Sequence, residues 1–579
     1  MSKEHNTLLQ GSEIFLKSLM REGVDTIFGY PGGAIMPLYD TLYSYSNELN
    51  HILVRHEQGA VHAAQGYARA TGKVGVCFAT AGPGATNFIT GITDARMDNT
   101  PIICVTAQVN SDKLGTDFFQ EADIMGLSIP ITKWSFQITS ASQIEEVLIK
   151  AFYIATSGRP GPVLISFTRN AQVEMAKMES NRKAVINNLI DRDTASRKIL
   201  QGANISDKIY QACSMLNAAK KPLIIAGQGV LISHCEKTVT EMSQKANIPV
   251  VTTLLGLSAI NNDFKNYYGN VGMHGHLAPN AMTQEADVII SVGMRFSDRV
   301  IGNPNDYAPH AKIIQIDIDN AQFNRNIDVD LPLLGDAAQI TKAMLPHMEY
   351  KDRSDWFNYA DSVKAHEDHD VIPEQLKATE DNRLTMGAVM DKISKTFKEN
   401  LLLVSDVGQN QMFAARFSKF YKPSSWITSG GLGTMGFGLP AAIGAKMGQP
   451  ERDVVAVMGD GGFQMNMQEL GTIMQNRIDV KIVILNNTYL GMVRQWQELF
   501  FDKRYSFTHL MNPDFEKLAA AYGIEYFRAT NGKGLEEGTE KMKASKSAFF
   551  LEVDVEEQEN VFPMIAPGAS VSDIMESQS

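Results

Sequence analysis

Short apolar runs recur along this chain, and between them the pattern changes to helical spacing. Such alternation points to parallel α/β folding, because each buried strand needs a helix to cross back over its sheet. The runs fall into three blocks. The first reaches to about Val173, with strands expected at 25–28, 52–54, 74–79, 102–106 and 163–167. The second, from about Asp191 to Pro346, has them at 223–226, 250–252, 288–292 and 313–318. The third, from about Thr385 to Val555, has them at 402–405, 454–457, 482–485 and 549–553. Charged, apolar-poor connectors at 174–196 and 349–381 mark the seams. A chain of 579 residues exceeds what one core supports, so three doubly wound parallel-sheet domains are expected.

Within the third block, residues 459–487 carry the densest chemical signal. Gly459-Asp460-Gly461 follows the apolar run ending at Met458, and Asn486-Asn487 follows a second run ending at Leu485. A strand, a helix rich in Met, Gln and Leu, and a second strand are predicted. A right-handed crossover puts both strand ends on one edge of a parallel sheet, so Asp460 and Asn487 are expected side by side. A carboxylate and an amide oxygen suit a hard cation such as Mg2+, and the glycines admit a diphosphate to the backbone amides. Taken singly, Asp-Gly and Asn-Asn are also ordinary turn sequences. Together they resemble the magnesium-diphosphate motif of thiamine-diphosphate enzymes.

Composition narrows the partners. Lys and Arg number 53 against 65 Asp and Glu, a net charge of −12 with no basic cluster, which argues against nucleic acid or an anionic membrane surface. The four cysteines are scattered, and Cys77 and Cys104 sit in apolar runs; buried thiols in a reducing, cytoplasmic compartment are expected. The N-terminal residues carry charges throughout and show no signal-peptide pattern. The charge-free stretch 423–445 holds six glycines and two prolines, so no transmembrane helix is read there.

Block one places Tyr30-Pro31-Gly32-Gly33-Ala34 after its first strand; a plain strand-to-helix turn and a close backbone approach to a ligand both fit. The run from His51 to Gly66 takes a strand into a helix whose first turn holds Glu57. The helix dipole favours an acid there, but Ala60, Ala63, Ala64 and Gly66 make the helix small-faced and buried. A buried carboxylate has to be paired or protonated, and a protonated heterocyclic nitrogen would pair it. Ala81-Gly82-Pro83-Gly84 is a further glycine-rich turn, 115–121 reads as a loop containing Gln120, and Gly158-Arg159-Pro160-Gly161 introduces the last strand.

In block two, strand-end glycines (Gly227, Gly256, Gly293) and the acidic strand end Asp317 fit an adenine dinucleotide lying across a sheet, although no clean G-x-G-x-x-G occurs. His274 read alone is as well explained as structural. Block three adds Asp406-Val407-Gly408-Gln409-Asn410, the glycine-rich run 430–438 with Gly433 and Met435, and 489–497. Met435 and Trp496 fit a core, yet Trp496 lies among Arg494, Gln495, Gln497 and Glu498, as a pocket wall would.

The motifs YPGGA, RHEQGAVHAAQGYAR, GPGATN, GTDFFQE, GRPGPV, TTLLGL, GMHG, IDID, GLGTMGFGLPAA, the GDG…NN stretch and GMVRQWQELFF occur in this order. The set resembles the catalytic subunits of the acetohydroxyacid synthase (acetolactate synthase) family, of the biosynthetic, FAD-containing type. The likeness runs from Gly23 to about Ser570. It implies a pyrimidine-binding domain over 1–180, a central FAD-binding, Rossmann-like domain over 191–346, a thiamine-diphosphate and Mg2+ domain over 380–555, and a tail over 556–579. The implied reaction decarboxylates pyruvate and joins the remainder to a second pyruvate or to 2-ketobutyrate, opening valine, leucine and isoleucine biosynthesis.

The resemblance also implies residue roles. Asp460, Asn487 and the backbone carbonyl of Tyr489 would hold Mg2+. Gly408, Gln409, Gly433, Gly461, Gly462, Gly491 and Met492 would line thiamine diphosphate, with Met435 supporting its bent shape. Glu57 would reach the aminopyrimidine bound to a second chain, which requires a homodimer or a dimer of dimers; a small regulatory subunit is a further implied partner. Gly33, Gln120, Val493 and Trp496 would surround the reacting carbonyl, and Arg299 would hold the acceptor's carboxylate. FAD would lie against Gly227, Thr253, Leu254, His274, Gly293, Arg295, Asp317 and Asp336.

Some positions depart from the family pattern. Gly462 stands where Ser is common, Asn410 where His is usual, and Ser297 where an acid is common; Ile165-Ser166-Phe167-Thr168-Arg169-Asn170 replaces a more acidic run. The rival readings are a catabolic, FAD-free acetolactate synthase and, in another class, a non-catalytic scaffold that kept the fold. Trp496 argues against the first; intact Glu57, Asp460 and Asn487 argue against the second.

Overall fold

The computed structural model describes residues 7–201, 205–379 and 382–577. The expected domain limits at residues 1, 380 and 579 lie outside them. Three six-stranded, wholly parallel sheets account for the α/β class. Across the first run Asn50–Leu53, Thr26–Gly29, Gly75–Ala79, Ile102–Gln108, Val163–Thr168 and Trp134–Ile138. The third has the same plan: Trp426–Thr428, Leu401–Ser405, Asp453–Gly459, Lys481–Asn486, Phe549–Asp554 and Glu525–Ala529. With strands numbered along the chain, both orders are 2-1-3-4-6-5.

The central sheet differs. It runs Tyr267–Asn270, Val250–Thr252, Pro222–Ala226, Val288–Val292, Lys312–Asp317 and Leu331–Leu334, the order 3-2-1-4-5-6 of dinucleotide-binding sheets. In all three sheets the order reverses next to the first strand, and the carboxyl ends of strands at such a reversal diverge to leave a crevice.

The apolar periodicity located every interior strand. Within the three six-stranded sheets, the five strands it does not reveal, Trp134–Ile138, Tyr267–Asn270, Leu331–Leu334, Trp426–Thr428 and Glu525–Ala529, all lie at sheet edges. An edge strand has a neighbour on one side only, and four of these five alternate or mix buried with partly exposed residues. The connectors are more ordered than their composition implies: helix Arg182–Gln201 fills much of the first, and helices Ser354–His366 and Ile372–Leu376 occupy the second. The expected single helix between Gly459 and Asn487 is two, Asp460–Met465 and Leu470–Asn476, parted by the turn Met467–Glu469.

The first and third sheets share one core through helices Glu57–Thr71 and Gly438–Gly448. Glycines let the two backbones touch. A Cβ on Gly66 would stand 1.9 Å from the carbonyl oxygen of Ala441, and one on Gly444 would stand 1.8 Å from that of Ala63. The tail is docked: Met564–Ile565 pairs with Ile574–Met575, and Ile565 N–H donates to the Met273 carbonyl at 2.9 Å. All four cysteines are free and buried. Among the described residues no helix is long and apolar enough to cross a membrane.

Candidate active site

The third sheet builds the first part of the site at its reversal. Strand Leu401–Ser405 runs into Asp406-Val407-Gly408, where a φ of +121° at Gly408 opens the N-terminus of helix Gln409–Phe417. Strand Asp453–Gly459 delivers Asp460 to the first turn of its helix. Pairing of Gly459 with Leu485 sets Asp460 level with Asn486, so Asp460 and Asn487 stand side by side as the spacing predicts. Asn512 ties the two strand ends together: its Nδ2 donates to Asp460 Oδ2 at 2.6 Å and to Asn486 Oδ1, the neighbour of Asn487, at 2.9 Å. Nothing in the sequence pattern singles Asn512 out.

Asp460 is fully buried, yet among the described residues its Oδ1 has no hydrogen-bond partner. Burial pushes this carboxyl up to about 6. An orphaned, desolvated carboxylate oxygen is costly without a cation. Asn487 Oδ1 accepts from Tyr489 N–H at 3.1 Å, which folds the Tyr489 backbone back towards the same place. Gly491 packs closely here: a Cβ would lie 2.0 Å from Gln409 Oε1, so a side chain would displace Gln409.

Two side chains prove to be occupied. Gln409 Nε2 donates to the Glu559 carbonyl at 2.6 Å and its Oε1 accepts from Asn487 Nδ2 at 3.3 Å, leaving its backbone amide at the helix N-terminus for a ligand. Asn410 spends its amide on Ser405 Oγ and the Val457 carbonyl, so the donor expected to replace histidine faces the sheet. Gly462 faces inward as well; a Cβ there would come within 3.0 Å of Asp406 Oδ2. Met435 lies across from Gly461, its Cε 4.0 Å from where a Cβ would be.

A cavity of about 770 Å³ joins this region to the central sheet. Gly408, Gly433, Met492 and Trp496 line one end, and Thr253, Leu254, His274, Gly293, Arg295, Arg299, Asp317 and Asp336 line the rest. Gly227 does not line it but shapes its floor: a Cβ would strike the Gly293 carbonyl oxygen at 2.3 Å. Burial draws the His274 imidazole down to about 3, so the ring is neutral, and its Nε2 is buried without a partner. Burial pushes Asp317 up to about 6. Asp336 caps helix Ala337–Met344 and accepts from Ser233 Oγ at 3.0 Å. Arg299 is half-exposed, its Nη1 3.3 Å from Met273 Sδ. Arg159 and Asn99 of the first domain also line the cavity, and Arg159 pairs with Asp319 at 3.2 Å. Arg159 belongs to the Gly158-Arg159-Pro160 turn, and nothing in that local motif indicates that its side chain reaches the central sheet.

The first sheet builds a separate cluster. Glu57 opens helix Glu57–Thr71, and its Oε2 accepts from Asn87 Nδ2 at 2.9 Å. Within one chain Glu57 is half-buried, less than its helix implied. Its Oε1 lies 3.1 Å from where a Cβ on Gly84 would be, and Thr80, whose hydroxyl is buried without a partner, crowds both Gly32 and Gly84. The backbone oxygen of Gln120, at a φ of +62°, lies 2.8 Å from a Cβ on Gly82. Gly33 has open space where its side chain would be. Glu57, Gln120 and Gly33 do not line the cavity. Val493 is 48% exposed beside it.

Known proteins account for this arrangement. Residues 9–127, 209–344 and 406–553 match, in turn, the N-terminal TPP binding domain, the central domain and the C-terminal TPP binding domain of thiamine pyrophosphate enzymes. The chain is 42% identical to the acetolactate synthase isozyme 2 large subunit of Escherichia coli, over 99% of its own length and all of that protein's. It is 41% identical to the acetolactate synthase of Arthrospira platensis, covering 98% and 97% of the two chains. With the isozyme 3 large subunit of Escherichia coli it shares 39% identity over 99% of each. The chain belongs to the acetolactate synthase large subunits.

As a thiamine-pyrophosphate enzyme of this family it must seat a diphosphate, and the geometry fits one. Two helices begin side by side at the third sheet's reversal, opened by Gly408 and Gly459, and helix N-termini favour phosphate groups. The orphaned Asp460 oxygen beside them suits a divalent cation shared with that diphosphate.

Proposed function

We propose that this chain is the catalytic subunit of a biosynthetic acetolactate synthase that uses Mg2+ and FAD besides thiamine diphosphate. It would work in the cytoplasm as a homodimer or dimer of dimers, joined by a small regulatory subunit. The observation that carries the reading is the unpartnered, buried Asp460 oxygen next to Asn487, between two glycine-opened helix N-termini.

Bound thiamine diphosphate supplies the nucleophilic carbon and the electron sink for the loss of CO2 from pyruvate. The chain does the rest. Asp460, Asn487 and the Tyr489 carbonyl would hold Mg2+, and Gly408, Gln409, Gly461, Gly462 and Gly491 would receive the diphosphate through backbone amides. Gly433, Met435 and Met492 support the ring system. Glu57, contributed by a second copy of the chain, shares a proton with the aminopyrimidine. Its neighbours Gly33 and Gln120 come with it to the reacting carbonyl.

Val493 and Trp496 wall the acceptor pocket and exclude water, which would otherwise divert the reaction. Arg299 takes the acceptor's carboxylate. Gly227, Thr253, Leu254, His274, Gly293, Arg295, Asp317 and Asp336 hold FAD across the central sheet. The cavity volume of about 770 Å³ lies within the range of cofactor sites, roughly 300–1,000 Å³.

A competition assay on flavin-quantified protein tests the reading. With equimolar pyruvate and 2-ketobutyrate as acceptors, protein that retains flavin should favour the 2-ketobutyrate product, and Trp496→Leu should shift the ratio towards acetolactate. Flavin-free protein that makes acetolactate alone would move the chain to the catabolic type.

A further inference from the structure

The loop 429–438 threads between all three domains and carries Gly433 and Met435. Between strand Trp426–Thr428 and helix Gly438–Gly448 it has no regular secondary structure, and Gly433 and Gly436 have φ of +71° and +85°. Ordering such a glycine-rich segment is entropically expensive. Its polar groups converge on three buried carboxylates. Asp94 Oδ1 accepts from the hydroxyls of Ser429 and Thr434, the latter at 2.8 Å, and the Thr434 N–H returns to Ser429 Oγ at 2.8 Å. Asp98 accepts from the backbone N–H groups of Gly430 at 2.8 Å and Gly431 at 2.7 Å. Asp406 accepts from Gly436 N–H at 3.0 Å on both oxygens.

Asp94, Asp98 and Asp406 are all 0% exposed. Among the described residues their one ion pair is Arg69 with Asp98, at 3.5 Å. Burial raises all three carboxyls, Asp98 to about 6 and Asp406 to about 7. Three buried acids with one ion-paired cation, Arg69, and a second cation, Arg295, near Asp98 are a poor device for stability, since neutral acceptors would cost less to bury. Carboxylates do form shorter and stronger hydrogen bonds than neutral groups, with tighter geometry. Among the described residues most of their donors are loop atoms; the others are Arg69 at Asp98, Gln65 beside Asp94, and Asp406's own neighbour Val407 N–H at 2.7 Å. Gly431 is pinned from the other side, where a Cβ would lie 2.7 Å from Arg295 Nη2 and 2.8 Å from Asp98 Oδ1.

We propose that Asp94 and Asp98 of the first domain, with Asp406 of the third, are positioning residues that hold the loop 429–438 in the shape that receives the thiamine ring system. The first domain thereby serves the cofactor site of its own chain through Asp94 and Asp98, while Glu57 serves a second chain. The inference rests on the reading that Gly433 and Met435 border the cofactor.

Calorimetric titration of the Mg2+-saturated full-length protein with thiamine diphosphate tests it, with kcat measured at saturating cofactor. The variants are Met435→Ala, Asp98→Asn and Thr434→Val. Asp98→Asn and Thr434→Val should each weaken the Kd about tenfold or more, while kcat at saturation stays within about threefold of the unchanged chain. Thr434→Val keeps every carboxylate, so it decides alone if Asp98→Asn does not fold. Weaker binding by Met435→Ala together with an unchanged Kd for the other two overturns the positioning role and leaves the site intact. An unchanged Kd for Met435→Ala removes the site reading, and the positioning role with it.

Discussion

At the scale of single residues, the proposed mechanism divides the work between Glu57, which would activate the cofactor, and Asp460, which would anchor it. Glu57 has a single short tie, to Asn87, and a space lined by Thr80 and Gly84 beside it. Glu57→Gln should lower kcat by about 10²-fold or more at saturating cofactor, as loss of an acid–base group does. Near-normal turnover would sink the assignment. His62 makes a second, independent prediction. It lies fully buried in the shared core, between Gln58, Gln65 and the ring of Phe437, and burial draws its imidazole down to about 3.

The folded value lies below the unfolded one, so the stability contributed by the neutral ring is full above about pH 6.5 and is lost as pH falls towards 3. By pH 5 the loss amounts to about 2 kcal/mol. Thermal unfolding compared at pH 8 and pH 5 should therefore show a smaller acid penalty for His62→Gln. Asp460 and Asn487 were legible in the sequence because the residues next to strand ends follow from the strands themselves. Asn512 was not, because its clamp on Asp460 depends on a loop returning from 52 positions away.

At the scale of elements, the decisive contact is the crossing of helices Glu57–Thr71 and Gly438–Gly448. Gly444→Ala would drive a methyl into the Ala63 backbone, where no flexible side chain can give way. Overpacking of this kind costs about 1–3 kcal/mol and occasionally more. The midpoint of thermal unfolding should fall by several degrees. Gly532→Ala, where a Cβ meets open space at the start of helix Gly532–Ala544, should leave it unchanged; equal effects would show that the crossing is not the weak point.

Interior strands were legible because burial on both faces demands continuous apolar runs. The edge strand Glu525–Ala529, in which only Ala529 is buried, gives no such run. The break of the helix after Met465 was illegible for a different reason. Its turn carries Glu469, which accepts from the backbone N–H groups of Arg55 and His56 in the first domain, a contact no local pattern encodes.

At the scale of the molecule, the proposed homodimer would make each chain contribute to two sites. The cavity beside Gly408 excludes Glu57, and large apolar side chains stand exposed: Phe119 near Gln120 is 83% exposed, and Met511, next to Asn512, is 92% exposed. A second copy of the chain would cover both and complete each site with the other's Glu57. Co-expression of Glu57→Gln with Asp460→Ala chains tests this, with mixed dimers isolated by two affinity tags. A composite site leaves one intact Glu57 with one intact Asp460 per mixed dimer, so activity should return to about half that of the unchanged dimer. Mixed dimers as inactive as either parent would place both residues in one chain's site.

The sequence by itself determined three α/β units and the glycines and acids at their strand ends, because apolar periodicity and turn chemistry act over a few neighbouring residues. Only the tertiary structure decided what those ends face. The strand orders placed Gly227 and Gly293 together at one reversal, and the pairing of consecutive strands in the third sheet put Asp460 beside Asn487. The docking of domains brought Arg159 to the central cavity and Asp94 and Asp98 beneath the loop of the third sheet. Those relations depend on how sheets pack in space, where contacts between residues hundreds of positions apart are set by shape and burial rather than by spacing along the chain.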